Sequence, residues 1–328
     1  MFDLCAGFVY SQVLAAVVEV GLIEALAAGP RRAEDLALAL SLPVEGAQQL
    51  LDAATSLKLT ERRHDARYGL GIHGASLLGN PAVAAMVKHH ALLYRDLTDP
   101  VALLREGNSR SELRGFWGYV GDSRPQSERD VSGYSQLMAS SLSLIAEDIL
   151  EAYPQRRHRC LLDVGGGEGA FLESVAARAP HLSLVLFDLP PVATRARARL
   201  ARAGLSSRTT VVEGDVFEDA LPEGADLATL VRVIHDHDER QSLHILRAVR
   251  RALAPGGVLL LAEPMAGTSG AEPVGAYFGF YLLAMGQGRP RTADHLRALL
   301  LEAGFATVRA RRTRRPLLTQ LLVAGVAS

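Results

Sequence analysis

The sequence predicts two domains: an α-helical N-terminal domain closed by a β-hairpin, and a larger α/β domain whose parallel sheet is covered by helices on both faces. Three observations predict this. The 328 residues are long for one domain and ample for two. Helical runs followed by one hairpin fill roughly the first 80 residues. From about Arg159 onward, apolar strand-like runs alternate with amphipathic helical runs, the pattern of a parallel sheet with helical crossovers.

The chain opens with "MFDLCAGFVYSQVLAAVVEVGLIEALAAG", in which Phe8, Leu14, Val18, Leu22 and Leu26 recur at near-helical spacing. One strongly apolar, amphipathic helix is expected, of the kind that forms oligomer contacts. Asp3, Gln12, Glu19 and Glu24 interrupt the run and no basic start precedes it, so neither a signal peptide nor a clean membrane span is expected. "AEDLALAL" and "EGAQQLLDAATSL" read as short helices separated by "SLP", with Ser41 as a cap and Pro43 in the first turn. "LKLTERRHDARYGLG" has strand-like ends around a turn at His64-Asp65. Three helices followed by a β-wing is the order of a winged helix-turn-helix. DNA contact would need positive charge on the helix in the recognition position. That helix, residues 43–58, carries Glu45, Asp52 and a single lysine, so no nucleic-acid partner is expected.

Composition agrees. At 48% hydrophobic and 22% charged the chain is an ordinary soluble globular protein. With net charge −1 and pI ≈ 6.8, no global field draws nucleic acid or an anionic membrane. Cys5 and Cys160 are too few and too distant for a disulfide framework or a thiolate zinc site, which fits a reducing, cytoplasmic setting.

Residues 81–150 read as helical, with a loop near "EGNSRSELRGFWGYVGDSRPQSERD". The strands that follow are "CLLDVG", "LSLVLFDL", "TTVVEGD", "ADLATLVRVI", "GVLLLAEP" and "LLTQLLVAGVA". Helical runs lie between them: "FLESVAARAP", "VATRARARLARAG", "RQSLHILRAVRRALAP" and "ADHLRALLLEAGF". Ligands of such sheets bind beyond the carboxyl ends of the strands, so the residues after each strand carry the functional information.

The first strand runs into Asp163-Val164-Gly165-Gly166-Gly167-Glu168-Gly169-Ala170. Glycines there permit a sharp turn and close approach of a ligand to the main chain. The stretch satisfies both the loose dinucleotide fingerprint Gly165-x-Gly167-x-x-Ala170 and the pattern Asp163-x-Gly165-x-Gly167-x-Gly169 of S-adenosylmethionine (SAM) methyltransferases, and alone it decides nothing. Asp188 ends the second strand 19 residues past Gly169, where an acid can accept ribose hydroxyls in either template. Asp215-Val216-Phe217 after the third strand suits an adenine: a carboxylate for the exocyclic amine and apolar cover for the ring. The dinucleotide template has no standard need of this second acid.

The fourth strand delivers "VRVIHDHDER" (Val231–Arg240). "LLDVGGGEGAF", "LVLFDLPPV", "VEGDVF", "RVIHDHDE", "LLLAEP" and a last helix with "AGF" follow in this order, and together they resemble the SAM-dependent small-molecule O-methyltransferases. The resemblance covers nearly the whole chain. It implies a winged-helix dimerisation domain over 1–95, and over 96–328 a helical linker plus a Rossmann-like domain with a mostly parallel seven-stranded sheet. "FDLCAGFVYSQVL", "NPAVAAMVKHHALLYRDLTDPVALLR" and "YFGFYLLAMGQGRPRTADHL" are similar to the bacterial carotenoid branch, the hydroxyneurosporene/demethylspheroidene O-methyltransferases.

That resemblance implies SAM as cofactor, held by Asp163, Gly165, Gly167, Gly169, Asp188, Leu189, Asp215, Val216 and Phe217. Arg232 is expected to help with the cofactor carboxylate. His235 is implied as general base and Glu263 as the acid that orients it. The chemistry agrees, because an imidazole titrates near neutral pH and can take a hydroxyl proton. Asp236, Asp238 and Glu239 are expected to open the next helix, where acids meet the positive end of the dipole. His235-x-His237 could instead be a metal pair. However, it continues into Glu239-Arg240, and His89-His90 lies in a separate helical region, so no metal is expected.

Two departures from the wider family stand out. Many members carry Trp where His237 stands, and phenol-specific plant members carry a Glu near Pro290. The pocket side is expected to include Met138 on the helix over Tyr134–Leu150, and Tyr277, Tyr281 and Met285 from a mostly apolar stretch. This suits a long hydrocarbon with one hydroxyl, a hydroxylated carotenoid, with transient contact at a membrane surface. The alternatives are methylation of a polyketide or phenol, a SAM-sensing winged-helix regulator, and a nicotinamide dehydrogenase.

Overall fold

The computed structural model describes residues 1–106, 111–117 and 128–327. The chain divides into two compact units, Met1–Leu92 and Leu93–Ser328.

The first unit contains α1 (Phe2–Glu19), α2 (Leu22–Ala25), β1 (Arg31–Arg32), α3 (Ala33–Ala39), α4 (Val44–Ser56), β2 (Thr60–Arg62), β3 (Arg67–Leu70) and α5 (Ile72–Leu78), with α6 (Pro81–Asp96) following. The single N-terminal helix expected from the sequence is in fact two. Gly21 takes φ 76° and cannot continue a right-handed helix. Nor is α1 amphipathic along its length: Phe2, Leu4 and Phe8 are exposed, whereas Val17 and Val18 are buried. By length and composition α1 is apolar enough to cross a membrane, which its scattered acids had argued against. Ser41, expected to cap, takes φ 56° instead, and Pro43 is the N-cap of α4 without a side-chain bond. The hairpin forms as expected. β2 and β3 pair antiparallel around a short turn holding Asp65 at φ 60°, and β1 adds to the outer edge of β3. Leu22, Ile23, Leu36, Leu51 and Tyr68 form this unit's core.

In the second unit α7 (Pro100–Glu106), α8 (Glu112–Phe116) and α9 (Glu128–Ala152) precede the sheet. Of the expected loop over 106–130, residues 107–110 and 118–127 lie outside the described residues. The α/β part then reads β4 (Cys160–Val164), α10 (Ala170–Arg178), β5 (Ser183–Asp188), α11 (Pro190–Arg202), β6 (Thr209–Glu213), β7 (Ala225–Val231), α12 (Glu239–Ala252), β8 (Leu253–Glu263), α13 (Glu272–Met285), α14 (Ala293–Glu302), β9 (Thr307–Arg311) and β10 (Gln320–Gly325). The seven strands are ordered β6-β5-β4-β7-β8-β10-β9. The first five are parallel, and β10 inserts antiparallel between β8 and β9.

Both faces of the sheet are covered, which is why its strands read as unbroken apolar runs. Along β8, Leu259 and Leu261 pack on the α12–α14 side while Leu260 and Ala262 pack on the α9–α11 side. Each Leu so buried contributes roughly 1.5–3 kcal/mol. Truncating Leu260 to Ala would cost about 2–5 kcal/mol, because the packed interior collapses only partly around the hole. The strand order reverses between β4 and β7, and at such a point the loops after adjacent strands diverge and leave a crevice.

Candidate active site

A cavity of about 510 Å³ opens at that crevice. Its walls come from the loops after β4, β5, β6 and β7, together with Trp117 and the α9 residues Met138 and Leu142. Among the residues singled out from sequence, Gly165, Gly167, Asp188, Leu189, Asp215, Val216, Phe217, Arg232 and Met138 line it.

The glycine loop is shaped by what surrounds it. Gly165 has φ +68°, and a Cβ there would stand 2.9 Å from Val233 Cγ2. Gly167 has φ +58° and open space where a side chain would be. Asp188, at the end of β5, latches the loop: its Oδ2 accepts from Gly167 N at 2.8 Å and its Oδ1 from Leu189 N at 2.7 Å. Burial nevertheless pushes Asp188 up to about 6, against those two hydrogen bonds.

Two residues expected in the loop's binding surface lie behind it. Asp163 is 1% exposed and faces across to β7, where Thr229 Oγ1 donates to its Oδ1 at 2.6 Å. Burial pushes this carboxyl up to about 7, and its Oδ2 is a buried acceptor without a hydrogen-bond partner among the described residues. Gly169, φ +83°, caps α10 beside Leu200, so its lack of a Cβ serves packing between α10 and α11.

At the β6 side Asp215 Oδ1 accepts from Phe217 N at 2.9 Å, turning the chain so that Phe217 faces His237, ring centroids 5.5 Å apart. His237 also meets Gln287, Nε2 to Nδ1 at 3.4 Å. Burial holds this imidazole below its ordinary range. The residues fit an adenosyl group: apolar cover from Phe217, Val216 and Ile245, a carboxylate at Asp188 and another at Asp215, and a glycine loop open to a ligand at Gly167.

Strand β7 stops at Val231, earlier than the sequence suggested, because Arg232 adopts φ 59° and leaves the sheet. Arg232 Nη1 donates to Ser141 Oγ of α9 at 2.9 Å. A single 3-10 turn follows, Ile234–Asp236, and carries His235. Glu263, 1% exposed at the end of the neighbouring β8, spans this turn. Its Oε1 accepts from Val233 N at 3.1 Å and Ile234 N at 2.7 Å, while its Oε2 accepts from His235 Nδ1 at 2.5 Å.

Asp236 does not start the helix as expected. Asp238 is the N-cap of α12, in a reciprocal capping box with Gln241, and Glu239 begins the helix. Asp236 instead lines the cavity, with Oδ1 3.2 Å from His235 Nε2. Burial alone would lower the pKa of His235; the carboxylates of Asp236 and Glu263 outweigh it and hold the imidazole above its ordinary value. His235 itself, 9% exposed, lies behind Asp236 rather than on the cavity wall.

The α13 residues form an aromatic layer at this end. Phe278 packs edge-on against His235 at 6.4 Å and Tyr277 edge-on against Phe278 at 5.1 Å, while Tyr281 is tilted against Tyr277 at 5.8 Å. Tyr281 accepts from Trp117 Nε1 at 3.1 Å, and Trp117 in turn lines the cavity. Tyr277, Tyr281 and Met285 therefore stand one layer back, with Met285 only 1% exposed. No group of three or more His, Cys, Asp or Glu residues poised for a metal occurs among the described residues.

A family model for the O-methyltransferase domain matches residues 94–306, and one for the O-methyltransferase dimerisation domain matches residues 2–79. The chain belongs to the O-methyltransferase family, and its N-terminal unit is that family's dimerisation domain. It is 44% identical to the demethylspheroidene O-methyltransferase of Cereibacter sphaeroides, over 94% of this chain and 82% of the relative. To the protein of that name from Rhodobacter capsulatus it is 41% identical, over 99% and 81%. Among solved structures it is similar to human N-acetylserotonin methyltransferase in complex with SAM, with TM-score 0.84, 26% identity, and 99% and 96% of the two chains covered.

Proposed function

We propose that this enzyme methylates the hydroxyl of an apolar isoprenoid, a 1-hydroxycarotenoid, with SAM as methyl donor and His235 as general base. The observation that carries the chemistry is the 2.5 Å contact between Glu263 Oε2 and His235 Nδ1 beside a cavity built for an adenosyl group. The names of its relatives at 41–44% identity support the substrate class.

When bound, SAM supplies an electrophilic methyl group on positively charged sulfur, which a hydroxyl oxygen takes by displacement along one line. Asp188 would accept the ribose hydroxyls, Asp215 the adenine amine, and Phe217 and Val216 would cover the ring. Arg232, at the cavity wall, would face the donor's carboxylate. Glu263 keeps the hydrogen of a neutral His235 on Nδ1 and so leaves the Nε2 lone pair for the substrate. A substrate hydroxyl reaches Nε2 by taking the place of Asp236. Its proton passes to Nε2 as the oxygen attacks, and Glu263 then stabilises the imidazolium, the logic of an acid behind a triad histidine. An aliphatic alcohol is far too weak an acid to ionise first, so deprotonation and attack are concerted and positioning supplies much of the rate.

Exposed Phe2, Leu4 and Phe8 on α1 support homodimer formation through the N-terminal unit. The reaction belongs in the cytoplasm, with transient membrane contact when the apolar substrate is collected.

The test incubates the full chain with methyl-labelled SAM and either a 1-hydroxycarotenoid in detergent micelles or a panel of phenols. Label in the carotenoid ether is expected. Turnover of phenols alone would overturn the substrate class, and failure to bind SAM in a calorimetric titration would overturn the cofactor.

A further inference from the structure

The segment Gly286–Thr292, between α13 and α14, lies against the turn that carries His235, and it does so through the turn's carbonyls. Arg291 is 3% exposed. Its Nη1 donates to Ile234 O at 2.8 Å and its Nη2 to His237 O at 2.7 Å, so one guanidinium brackets His235 from both sides. Arg289 N donates to the carbonyl between them, His235 O, at 2.9 Å. Gly288 makes this approach possible: it has φ +82°, and a Cβ there would fall 2.1 Å from His235 O.

The turn is poorly able to hold itself. Its own hydrogen bonds, Asp236 N to Val233 O and His237 N to Ile234 O, measure 3.2 and 3.3 Å. An isolated 3-10 turn fixes several torsions for few, poorly aligned bonds. The shorter bonds come from outside: Glu263 takes the amide hydrogens and Arg291 fills the carbonyls. Arg291 is also a costly choice for mere packing. It is a buried cation with no hydrogen-bonded carboxylate among the described residues, and its Nε has no partner there. A guanidinium's rigid fork can bridge two carbonyls three residues apart, which an ammonium cannot.

We propose that Arg291 is a positioning residue for His235. It acts through the main chain of the turn, as the counterpart of Glu263 on the opposite side, and keeps Nδ1 on Glu263 so that Nε2 faces the substrate. This rests on the reading of His235 as general base. The charged and titratable groups around His235 are Asp236 and His237 of its own turn, Glu263 from β8, Arg232 from the end of β7 and Arg291 itself, whose charge Arg291→Lys keeps and Arg291→Met removes. Loosening the turn weakens the Glu263 contact, one of the interactions that raise His235, so the imidazole should titrate lower.

The experiment compares the full-length enzyme with Arg291→Met, Arg291→Lys and His235→Ala, using SAM titration and pH profiles of kcat and kcat/KM. Arg291→Met is expected to keep SAM affinity within about threefold, since the guanidinium is not on the cavity wall and meets the turn only at main-chain carbonyls. Its kcat should drop about 10–100-fold, the scale of a displacement of about 1 Å at a catalytic group. The acid limb of kcat/KM is read in Arg291→Lys, which keeps the positive charge and can remake one of the two bonds: it should move to lower pH, with kcat between wild type and Arg291→Met. A reduced kcat with an unmoved acid limb would make Arg291 merely structural and overturn the proposal, as would a wild-type kcat. If Arg291→Met fails to fold, Arg291→Lys decides by the same two readouts. A wild-type rate in His235→Ala overturns the base reading itself. A dead His235→Ala beside an unaffected Arg291→Met overturns only the positioning role.

Discussion

Glu263 and His235 are 28 residues apart in the chain and 2.5 Å apart in space, one at the end of β8 and the other just beyond the end of β7. The pairing follows from the sheet: these strands are parallel neighbours, so their carboxyl ends emerge side by side. Replacing Glu263 by Gln preserves shape but puts an amide NH2 where Oε2 accepted from Nδ1. The imidazole then favours the tautomer with hydrogen on Nε2, which cannot take a proton from the substrate. A fall in kcat of about 10²–10⁴-fold is expected. The melting temperature should also drop, because a buried group that served three donors loses at least one partner, a cost of about 1–3 kcal/mol. Calorimetry and steady-state kinetics on the one variant check both.

The pH dependence follows from the carboxylates around His235. They raise its pKa in the folded chain above the ordinary 6.5. The proton they stabilise is therefore present below the unfolded value, and its contribution to stability is lost as pH rises through the folded value. Catalysis needs the neutral ring, so kcat/KM should climb with pH and level off above 6.5. Asp236→Asn removes one of the raising charges, and the rising limb should shift to lower pH. An unmoved limb in that variant would show that Asp236 does not act on the titrating group.

Asp188 gives a second dependence of the same sign, read in binding rather than in turnover. Burial raises it to about 6, and it must be charged to accept ribose hydroxyls well. SAM affinity should therefore weaken as pH falls from 7.5 through 6. Asp188→Ala should lose about 10–100-fold in affinity, the worth of one hydrogen bond to a charged group plus the untied Gly167 amide, and should show no such dependence. Titrations at pH 5, 6 and 7.5 distinguish a ligand-facing carboxylate from one that only latches the loop.

Much of this fold is legible because buried parallel strands must be apolar on both faces, and "LLDVG", "LVLFD" and "VLLLAE" announce themselves. β9 did not, since "TVRAR" is an edge strand that buries Val308 and leaves its arginines outside. The break at Gly21 was hidden because apolar residues continue on both sides of it. At the site, residue types were readable but directions were not. Nothing local says that Arg232 takes a left-handed conformation, and that single torsion ends β7 just before the turn that places Asp236 on the cavity wall. Asp163 faces Thr229, 66 residues away. Trp117 gained its place through Tyr281, 164 residues away, and Arg291 through the carbonyls of a distant turn. Contacts of that range leave no periodicity to detect.

The glycine loop allows strain to be separated from function. Gly167 and Gly204 both hold left-handed torsions, φ +58° and +72°, and both have open space where a Cβ would lie. Alanine at either should cost about 1 kcal/mol, the penalty for a side chain in that region. The two variants should therefore lower the melting temperature by similar amounts. Gly204 lies in the exposed turn between α11 and β6, whereas Gly167 lines the cavity. Only Gly167→Ala places a methyl group in the volume assigned to the donor, so only this variant should lose SAM affinity, by about tenfold or more. Gly165→Ala should do worse on both counts, because its Cβ meets Val233 at 2.9 Å and Val233 N is one of the amides held by Glu263. Equal SAM affinities in Gly167→Ala and Gly204→Ala would place the donor somewhere other than this loop.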